Sequence, residues 1–129
     1  MNKLIRSLLL VSLAAFPVAA SAMVSAMPSF YDFGAVSSGR SAMTTITFMN
    51  NSAQPVPFFN VNCSGDLSAF SCFSMCSTLP AYGSCSVQVQ FYARSGDGMR
   101  KMVWLNGSGG GQFATSTVYG TDSKSASEK

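Results

Sequence analysis

The chain has 129 residues, of which 47% are apolar and 10% are charged, and its formal net charge is +3. This length suits one domain, and it is too short for a protein kinase, a TIM barrel or a dinucleotide-binding enzyme with a separate substrate domain. Because the chain contains no histidine, Ser-His-Asp and Cys-His catalysis and His-ligated zinc or haem sites are excluded.

Residues 1–22 have the pattern of a secretory signal peptide. Lys3 and Arg6 give a positively charged start, and residues 20–22 form an A-x-A cleavage site. The apolar stretch from 8 to 20 has 13 residues, fewer than the roughly 20 that a membrane-spanning helix needs. We therefore expect cleavage after the A-x-A site, a periplasmic or extracellular location and no transmembrane segment in the mature chain. An uncleaved membrane anchor is the alternative.

Removal of this segment leaves a mature chain with very few charges. It keeps six basic and five acidic residues among 107, whereas soluble surfaces usually carry about 25–35% charged residues. No basic stripe with interleaved aromatic residues is present, so nucleic acid is not an expected partner. Exposed Met, Phe and Tyr on such a surface predict an apolar interaction site. The alternative is a Ser/Thr-rich surface that has no interaction site. Methionines such as Met43, Met75 and Met99 are expected to fill gaps in the core and at interfaces.

Seven segments of the mature chain are predicted strands. Residues 42–49 place Ile46 and Phe48 on one face, and residues 85–91 alternate between apolar residues and Ser or Gln, which is the period of a half-buried strand. Residues 99–105 are apolar on both faces, which is typical of a central strand. The other predicted strands are 29–33, 56–61, 67–73 and 112–119.

Turn-forming residues separate these segments. The predicted turns lie at 37–39, 50–52, 80–83, 95–98 and 106–109. About seven short strands in a chain of this length predict an all-β fold, an immunoglobulin-like antiparallel β-sandwich formed by one domain over residues 23–121. A small closed barrel is the alternative. Residues 122–129 contain no large apolar side chain and are predicted to form a disordered polar tail.

Four cysteines remain in the mature chain, and export places them in an oxidising compartment. The spacing favours the pairs Cys63–Cys72 and Cys76–Cys85, each with eight residues between its cysteines. Nested pairing would need a bridge between Cys72 and Cys76 with only three residues between them, and crossed pairing stays open on spacing. A four-cysteine zinc site is the competing interpretation, but zinc ligands usually come in C-x2–4-C pairs, and only one such gap is present. No metal or cofactor is predicted.

Four segments contain motifs of a known family. Residues 31–39 read YDFGAVSSG, residues 48–52 read FMNNS, residues 76–91 read CSTLPAYGSCSVQVQF and residues 118–121 read VYGT. Together they resemble the ASH/hydin-type (choice-of-anchor D-like) Ig-like domains of bacteria, relatives of the major-sperm-protein and PapD-like sandwiches, over roughly residues 28 to 121. The resemblance implies an Ig-like sandwich and a bridge between Cys76 and Cys85.

Two motifs with phosphate chemistry in other proteins are interpreted as structural. Residues 32–34 read DFG, but no other kinase motif is present, so Gly34 is expected to permit a turn with Phe33 and Val36 in the core. The glycine-rich residues 107–111 lack the Lys-Ser/Thr and the helix of a P-loop, and they are expected to form a flexible hairpin loop. The five carboxylates are scattered over predicted turns and the tail, so no catalytic residues are predicted.

These observations predict an exported, non-enzymatic Ig-like module that docks to other cell-envelope proteins. Its setting would be a secretion, conjugation or pilus-type assembly or a surface scaffold, and oligomeric assembly is compatible with the weak charge. The expected contacts are outward strand positions such as Gln88 and Gln90, or the loops between Cys63 and Cys85. The alternative is a stand-alone secreted binding protein, either an inhibitor or a carbohydrate binder.

Overall fold

A computed structural model describes residues 24–124. The signal segment predicted at residues 1–22 and the last part of the predicted tail, residues 125–129, lie outside the described residues. The described chain forms eight strands: β1 Val24–Met27, β2 Phe30–Ser37, β3 Ser41–Asn50, β4 Asn60–Gly65, β5 Phe70–Ser74, β6 Ser84–Tyr92, β7 Arg100–Gly109 and β8 Gln112–Ser123. None of the described residues belongs to a helix long and apolar enough to cross a bilayer.

The strands form two four-stranded sheets packed face to face. Sheet A has the order β1-β3-β6-β5, and sheet B has the order β2-β8-β7-β4. Apolar residues at every second position of β3, β6, β7 and β8 point into the space between the sheets, as the alternation predicts. The all-β sandwich is therefore confirmed. Its fully buried residues include Ile46, Phe48, Val87, Val89, Phe91, Val103, Leu105 and Val118.

The aromatic core centres on Phe91 of β6. Its ring lies 4.9 Å from the ring of Phe70 and 6.0 Å from that of Phe33, measured between centroids. Gly120 of β8 lies opposite, and a Cβ at this position would stand 2.6 Å from the Phe91 ring. A glycine is required here because the two sheets approach too closely for any side chain between them.

Two features of the topology differ from the expected seven-stranded antiparallel sandwich. An additional short strand, β1, pairs with β3 at the edge of sheet A. Strand β2 pairs with β8 in parallel. The chain passes from β1 in sheet A to β2 in sheet B through two residues and keeps its direction, so β2 runs the same way as the last strand.

Four predicted segments differ from the structure. Gly34 does not form a turn but lies at a bulge inside β2, where the register with β8 shifts between Asp32 and Ala35. Residues 106–109 were predicted as a turn, but they continue β7, and the hairpin turns at Gly110 and Gly111. Their pairing with β8 outweighs the local turn preference. Residues 56–61 and 67–73 are strands only from Asn60 and from Phe70 onward.

The predicted domain boundary at residue 121 lies before the end of the last strand. Strand β8 continues to Ser123, and Asp122 is buried with 2% of its surface exposed. A polar composition indicated a tail, but hydrogen bonds to this carboxylate keep the residue in the fold. Met43, Met75 and Met99 are more than half exposed, so they do not fill gaps in the core, whereas the expected role at interfaces stays a prediction.

The sandwich has two ends with different composition. One end is formed by the β2–β3 turn, the β4–β5 connection, the β6–β7 loop and the end of β8, and we call it the charged end. The other is formed by the β3–β4 loop (51–59), the β5–β6 loop (75–83) and the β7–β8 turn (110–111), and we call it the uncharged end.

Candidate docking surface at the uncharged end

Charge is segregated along the long axis of the sandwich. No charged residue occurs in residues 41–65, 67–93 or 102–121, which include the whole uncharged end. All charged residues of the described chain lie in or toward the charged end: Asp32, Arg40, Asp66, Arg94, Asp97, Arg100, Lys101, Asp122 and Lys124. The exposed loops of a small soluble domain normally carry charged residues. Three adjacent loops that contain no charged residue therefore form an unusual surface.

Large apolar side chains are exposed on these loops. Phe58 is 87% exposed, Phe113 77%, Met75 70% and Tyr82 69%, and no other large apolar side chain of the described chain is as exposed. Phe58 lies in the β3–β4 loop, Met75 and Tyr82 in the β5–β6 loop, and Phe113 next to the β7–β8 turn. Aromatic residues and methionine without nearby charge have the composition of an interface centre.

Two of these aromatic residues have a strained backbone. Phe58 has φ 56° and Tyr82 has φ 58°, and they are the only non-glycine residues with positive φ in the described chain. For a bulky side chain the left-handed conformation costs roughly 1–2 kcal/mol. At residue 58 the left-handed conformation separates two neighbouring rings: the Phe59 ring is fully buried, and the Phe58 ring faces solvent. Strain of this kind persists only where the surroundings impose it, and it concentrates at functional sites.

The two loops that carry Phe58 and Tyr82 are connected by a hydrogen-bond network around Asn50, which is fully buried. The Asn50 Nδ2 donates hydrogen bonds to the carbonyl oxygens of Gln54 (2.7 Å) and Pro80 (3.1 Å), so it joins the β3–β4 and β5–β6 loops. Its Oδ1 accepts hydrogen bonds from the Ser52 backbone N–H (3.1 Å) and hydroxyl (2.9 Å). The sequence predicted only a turn here, because Asn is common in turns for purely local reasons.

Further contacts make the uncharged end one connected body. Val56 and Leu79 exchange two backbone hydrogen bonds, of 2.8 and 2.9 Å, and the Tyr82 N–H donates to the Ser52 carbonyl (3.0 Å). The β7–β8 hairpin packs on the first loop so closely that a Cβ on Gly109 would stand 2.6 Å from the Phe59 Cα. The exposed side chains are therefore carried on a rigid support, which lowers the entropy cost of binding.

The cysteines form the two bridges that the spacing favoured. Cys76 and Cys85 are bonded, with Cα atoms 5.3 Å apart, and they close the β5–β6 loop of the uncharged end. Cys63 and Cys72 are bonded, with Cα atoms 6.6 Å apart, and they join the edge strands β4 and β5 of the two sheets. Two disulfides indicate an oxidising environment. A depression of about 260 Å³ beside the Cys76 bridge is lined by Phe58, Phe59, Asn60, Cys76 and Ser77.

The outer faces of the sheets were the other predicted contact. Gln88 of β6 is exposed and Gln90 is half-buried, both on the outer face of sheet A, which also exposes Met43 and Phe73 and carries no charge. The outer face of sheet B carries Phe30, Trp104 and Tyr119. There the Arg100 guanidinium lies 3.8 Å from the Tyr119 ring centroid and bonds Asp32 at 3.1 Å.

Carboxylates at the charged end are stabilised in their ionised form. Asp97 bonds Lys101 at 2.9 Å, and this bond together with the Met99 N–H lowers the pKa of Asp97 to about 2. Burial raises the pKa of Asp122, but hydrogen bonds from the N–H groups of Ser95, Gly96 and Arg94 and from the Ser95 hydroxyl more than offset it, so the pKa of Asp122 falls below its ordinary value. Among residues 24–124, no three His, Cys, Asp or Glu side chains are grouped as metal ligands would be.

Residues 22–121 match the HYDIN/CFA65/VesB-like Ig-like domain family. The chain belongs to this family. No curated protein matches it in sequence. Ig-like domains are generally non-catalytic and usually mediate protein interactions, so this chain is a structural or interaction module.

Two solved structures show the same fold at low sequence identity. The ASH/PapD-like domain 7 of human CEP192 is similar, with a TM-score of 0.63, 14% identity and coverage of 89% of this chain and 96% of that domain. WR4, a C. elegans member of the MSP family, has a TM-score of 0.52 and 10% identity, with coverage of 78% and 98%. The secreted serine protease VesC of Vibrio cholerae is 19% identical over 70% of this chain, has a TM-score of 0.48, and is covered over only 21% of its length.

Proposed function

We propose that this Ig-like domain is an exported, non-enzymatic module that docks to other proteins of the bacterial cell envelope through its uncharged end. The observation that carries the proposal is the concentration of exposed Phe58, Met75, Tyr82 and Phe113 on three loops without a charged residue. The predicted signal peptide, with the two disulfides, supports export to the periplasm or beyond.

The proposed surface offers a partner apolar side chains that are still exposed to solvent. Full burial of one large apolar side chain stabilises a complex by about 1.5–3 kcal/mol. The four side chains are at least 69% exposed in the isolated domain, so most of that burial remains to be gained from a partner. The absence of charge at this end means that no charged group has to be desolvated there when the surface is covered. A partner with an apolar groove of matching shape would bury these four side chains.

The test is a set of lysine substitutions in the full chain, exported in its native host. Phe58→Lys and Phe113→Lys place a charge on the uncharged end, Gln90→Lys places it on sheet A, and Ser68→Lys is a matched control in the exposed β4–β5 connection. Phe58, Phe113 and Ser68 are exposed, so these three substitutions should change the free energy of folding by no more than about 0.5 kcal/mol. Gln90 is half-buried and accepts a hydrogen bond from the Tyr92 hydroxyl, so the stability of Gln90→Lys is measured alongside its binding. Chemical crosslinking in intact envelopes followed by purification then measures association with a stoichiometric partner.

We expect Phe58→Lys and Phe113→Lys to abolish a crosslinked complex that the wild type and Ser68→Lys retain, because burial of an unpaired charge costs several kcal/mol. If only Gln90→Lys abolishes it, the contact is the outer face of sheet A, and the assignment to the uncharged end is wrong. If the wild type forms no complex and is isolated as a monomer, docking is refuted.

The second candidate function is a stand-alone secreted binding protein. The depression beside the Cys76 bridge favours it, since a concave site of about 260 Å³ next to an exposed Phe ring is close to the lower limit for a small-ligand site. This function would be supported if the protein is isolated as a monomer without an envelope partner and binds a carbohydrate, or an enzyme that it inhibits, at Phe58.

A further inference from the structure

Two arginines at the charged end have no carboxylate partner among residues 24–124. The carboxylates of the described chain are engaged elsewhere: Asp32 with Arg100, Asp97 with Lys101, Asp66 with the Met102 N–H and Asp122 with the β6–β7 loop. Arg40 and Arg94 make no ion pair with any of them. Both guanidinium groups are therefore available to an external anion.

These two arginines line the same cleft. It has a volume of about 520 Å³ and is formed by Gly39, Arg40, Ser41, Tyr92, Ala93 and Arg94. The cleft lies where the β2–β3 turn meets the end of β6. Hydrogen bonds from the Gly39 N–H to the Ala93 carbonyl (2.7 Å) and from the Ala93 N–H to the Arg40 carbonyl (3.0 Å) hold its floor together. This volume is within the range of ligand-binding clefts.

The position of Arg94 is set by its neighbours. Its guanidinium carbon lies 4.9 Å from the centroid of the Tyr92 ring, and the Tyr92 hydroxyl donates a hydrogen bond to Gln90 Oε1 at 2.9 Å. The Arg94 backbone N–H donates to the buried Asp122 carboxylate at 2.9 Å. Stacking on one ring face leaves the N–H edge of the guanidinium free to form a paired hydrogen bond with a planar anion.

Most backbone N–H groups of the cleft are already bonded within the protein. The N–H groups of Gly39, Arg40, Ala93 and Arg94 all donate to acceptors within the protein. Phosphate sites usually rely on a series of free backbone N–H groups, and none is available on these four residues. Recognition would depend on the two guanidinium forks, whose geometry matches carboxylates.

We propose that the Arg40–Arg94 cleft binds an acidic peptide segment of a partner protein, with its carboxylates paired to the two guanidinium groups. The cleft is continuous with the outer face of sheet A through Ser41 and Tyr92, which lie at the ends of β3 and β6. That face carries no charge and exposes Met43. A segment with carboxylates in the cleft and apolar residues after them would therefore lie along sheet A. This site is separate from the uncharged end and does not depend on it.

Arginine side-chain NMR signals test the proposal directly. The chain that remains after predicted cleavage contains three arginines, Arg40, Arg94 and Arg100, and Arg100 serves as an internal control because it is paired with Asp32. The probe is a capped peptide of six glutamates, titrated into the exported, disulfide-bonded protein, with inorganic phosphate in a parallel titration. We expect the peptide to shift the Nε signals of Arg40 and Arg94 and to leave that of Arg100 in place.

Matched variants give the second measurement. Arg40→Gln with Arg94→Gln should weaken peptide binding at least tenfold, whereas Arg100→Gln with Lys101→Gln, which also removes two positive charges but outside the cleft, should change it less than threefold. Equal loss in the control variant would show non-specific attraction and overturn the proposal. Phosphate that binds more tightly than the peptide at the same two signals would overturn it as well. The absence of any shift would overturn it too. Glu128 is a carboxylate of the C-terminal segment of this chain. If Glu128→Gln, without any peptide, shifts the Nε signals of Arg40 and Arg94 as much as the peptide shifts them in the wild type, the ligand of the cleft is this chain's own C-terminal segment, and the proposal is overturned.

Discussion

The carboxylate of Asp122 connects the last strand to the β6–β7 loop, and its replacement by asparagine should destabilise the fold. Its Oδ2 accepts hydrogen bonds from the Arg94 N–H (2.9 Å), the Ser95 N–H (2.9 Å) and the Ser95 hydroxyl (3.0 Å), and its Oδ1 accepts one from the Gly96 N–H (2.8 Å). In Asp122→Asn one of the two oxygens becomes an NH2 group, which cannot accept any of them.

The magnitude follows from these four bonds. If the amide oxygen takes the place of Oδ2, the Gly96 N–H loses its acceptor and faces another donor, which costs about 1–3 kcal/mol. The three bonds that remain lose their charge assistance and become roughly half as strong. A neutral amide costs less to bury than a carboxylate, which recovers part of these losses. We therefore expect Asp122→Asn to lower the free energy of unfolding by about 2–4 kcal/mol at neutral pH, against the roughly 5–15 kcal/mol typical of a domain.

Urea unfolding followed by the fluorescence of Trp104, the only tryptophan, measures this difference with both disulfides intact. Because the folded pKa of Asp122 lies below its ordinary value of 3.8, its stabilisation is complete above the unfolded pKa and is lost as the pH falls through the folded pKa. The difference between wild type and variant should therefore be constant from pH 7 to about pH 5 and should shrink on further acidification.

Asp32→Asn is the matched control, because it removes a carboxylate from a partly exposed ion pair with Arg100. Such pairs contribute at most about 1 kcal/mol. The reasoning would be refuted if Asp122→Asn were no more destabilising than the control at pH 7. It would also be refuted if its effect were the same at pH 3 as at pH 7, since the loss would then not arise from the ionised carboxylate.

Three further predictions concern export, the bridges and the core. The intact mass of the exported protein should equal residues 23–129 minus four hydrogens, and a mass that includes the first 22 residues would contradict cleavage. Unreduced peptide mapping should show Cys76 joined to Cys85, and Cys85→Ser should lower the free energy of unfolding by about 2–5 kcal/mol; a neutral effect in urea unfolding would contradict a stabilising bridge. Gly120→Ala should cost about 1–3 kcal/mol in the same assay, because the new Cβ would stand 2.6 Å from the buried Phe91 ring, and no loss would mean that this ring can move aside.

The strand pattern could be predicted wherever local rules and tertiary packing agree. Alternation at residues 42–49 and 85–91 placed Ile46, Phe48, Val87 and Val89 in the core, and all four are fully buried. The glycine-rich residues 106–109 were assigned wrongly, because glycine indicates a turn locally, whereas here it allows β7 to pass close to Phe59. Only the neighbouring segment in space distinguishes the two roles of glycine.

The candidate sites could be predicted only as a class of surface. The shortage of charge in the mature chain indicates an interaction module, and it is visible from composition. The roles of Asn50 and Tyr82 could not be predicted from the sequence. Asn50 bonds the Pro80 carbonyl, and Tyr82, which has positive φ, donates to the Ser52 carbonyl, and each of these partners is about 30 residues away. Their role depends on hydrogen bonds between loops, which no local pattern contains.

By itself the sequence determined the sandwich class and favoured the pairs Cys63–Cys72 and Cys76–Cys85, because period-two alternation and short cysteine spacing are local properties of a chain. Only the tertiary structure decided which charges and which aromatic rings meet. The uncharged stretches and the charged ones are interleaved along the chain, and antiparallel strands bring alternate loops to the same end of a sandwich. Loops remote in sequence thus combine into one charged end with an arginine cleft and one uncharged end with four exposed apolar side chains.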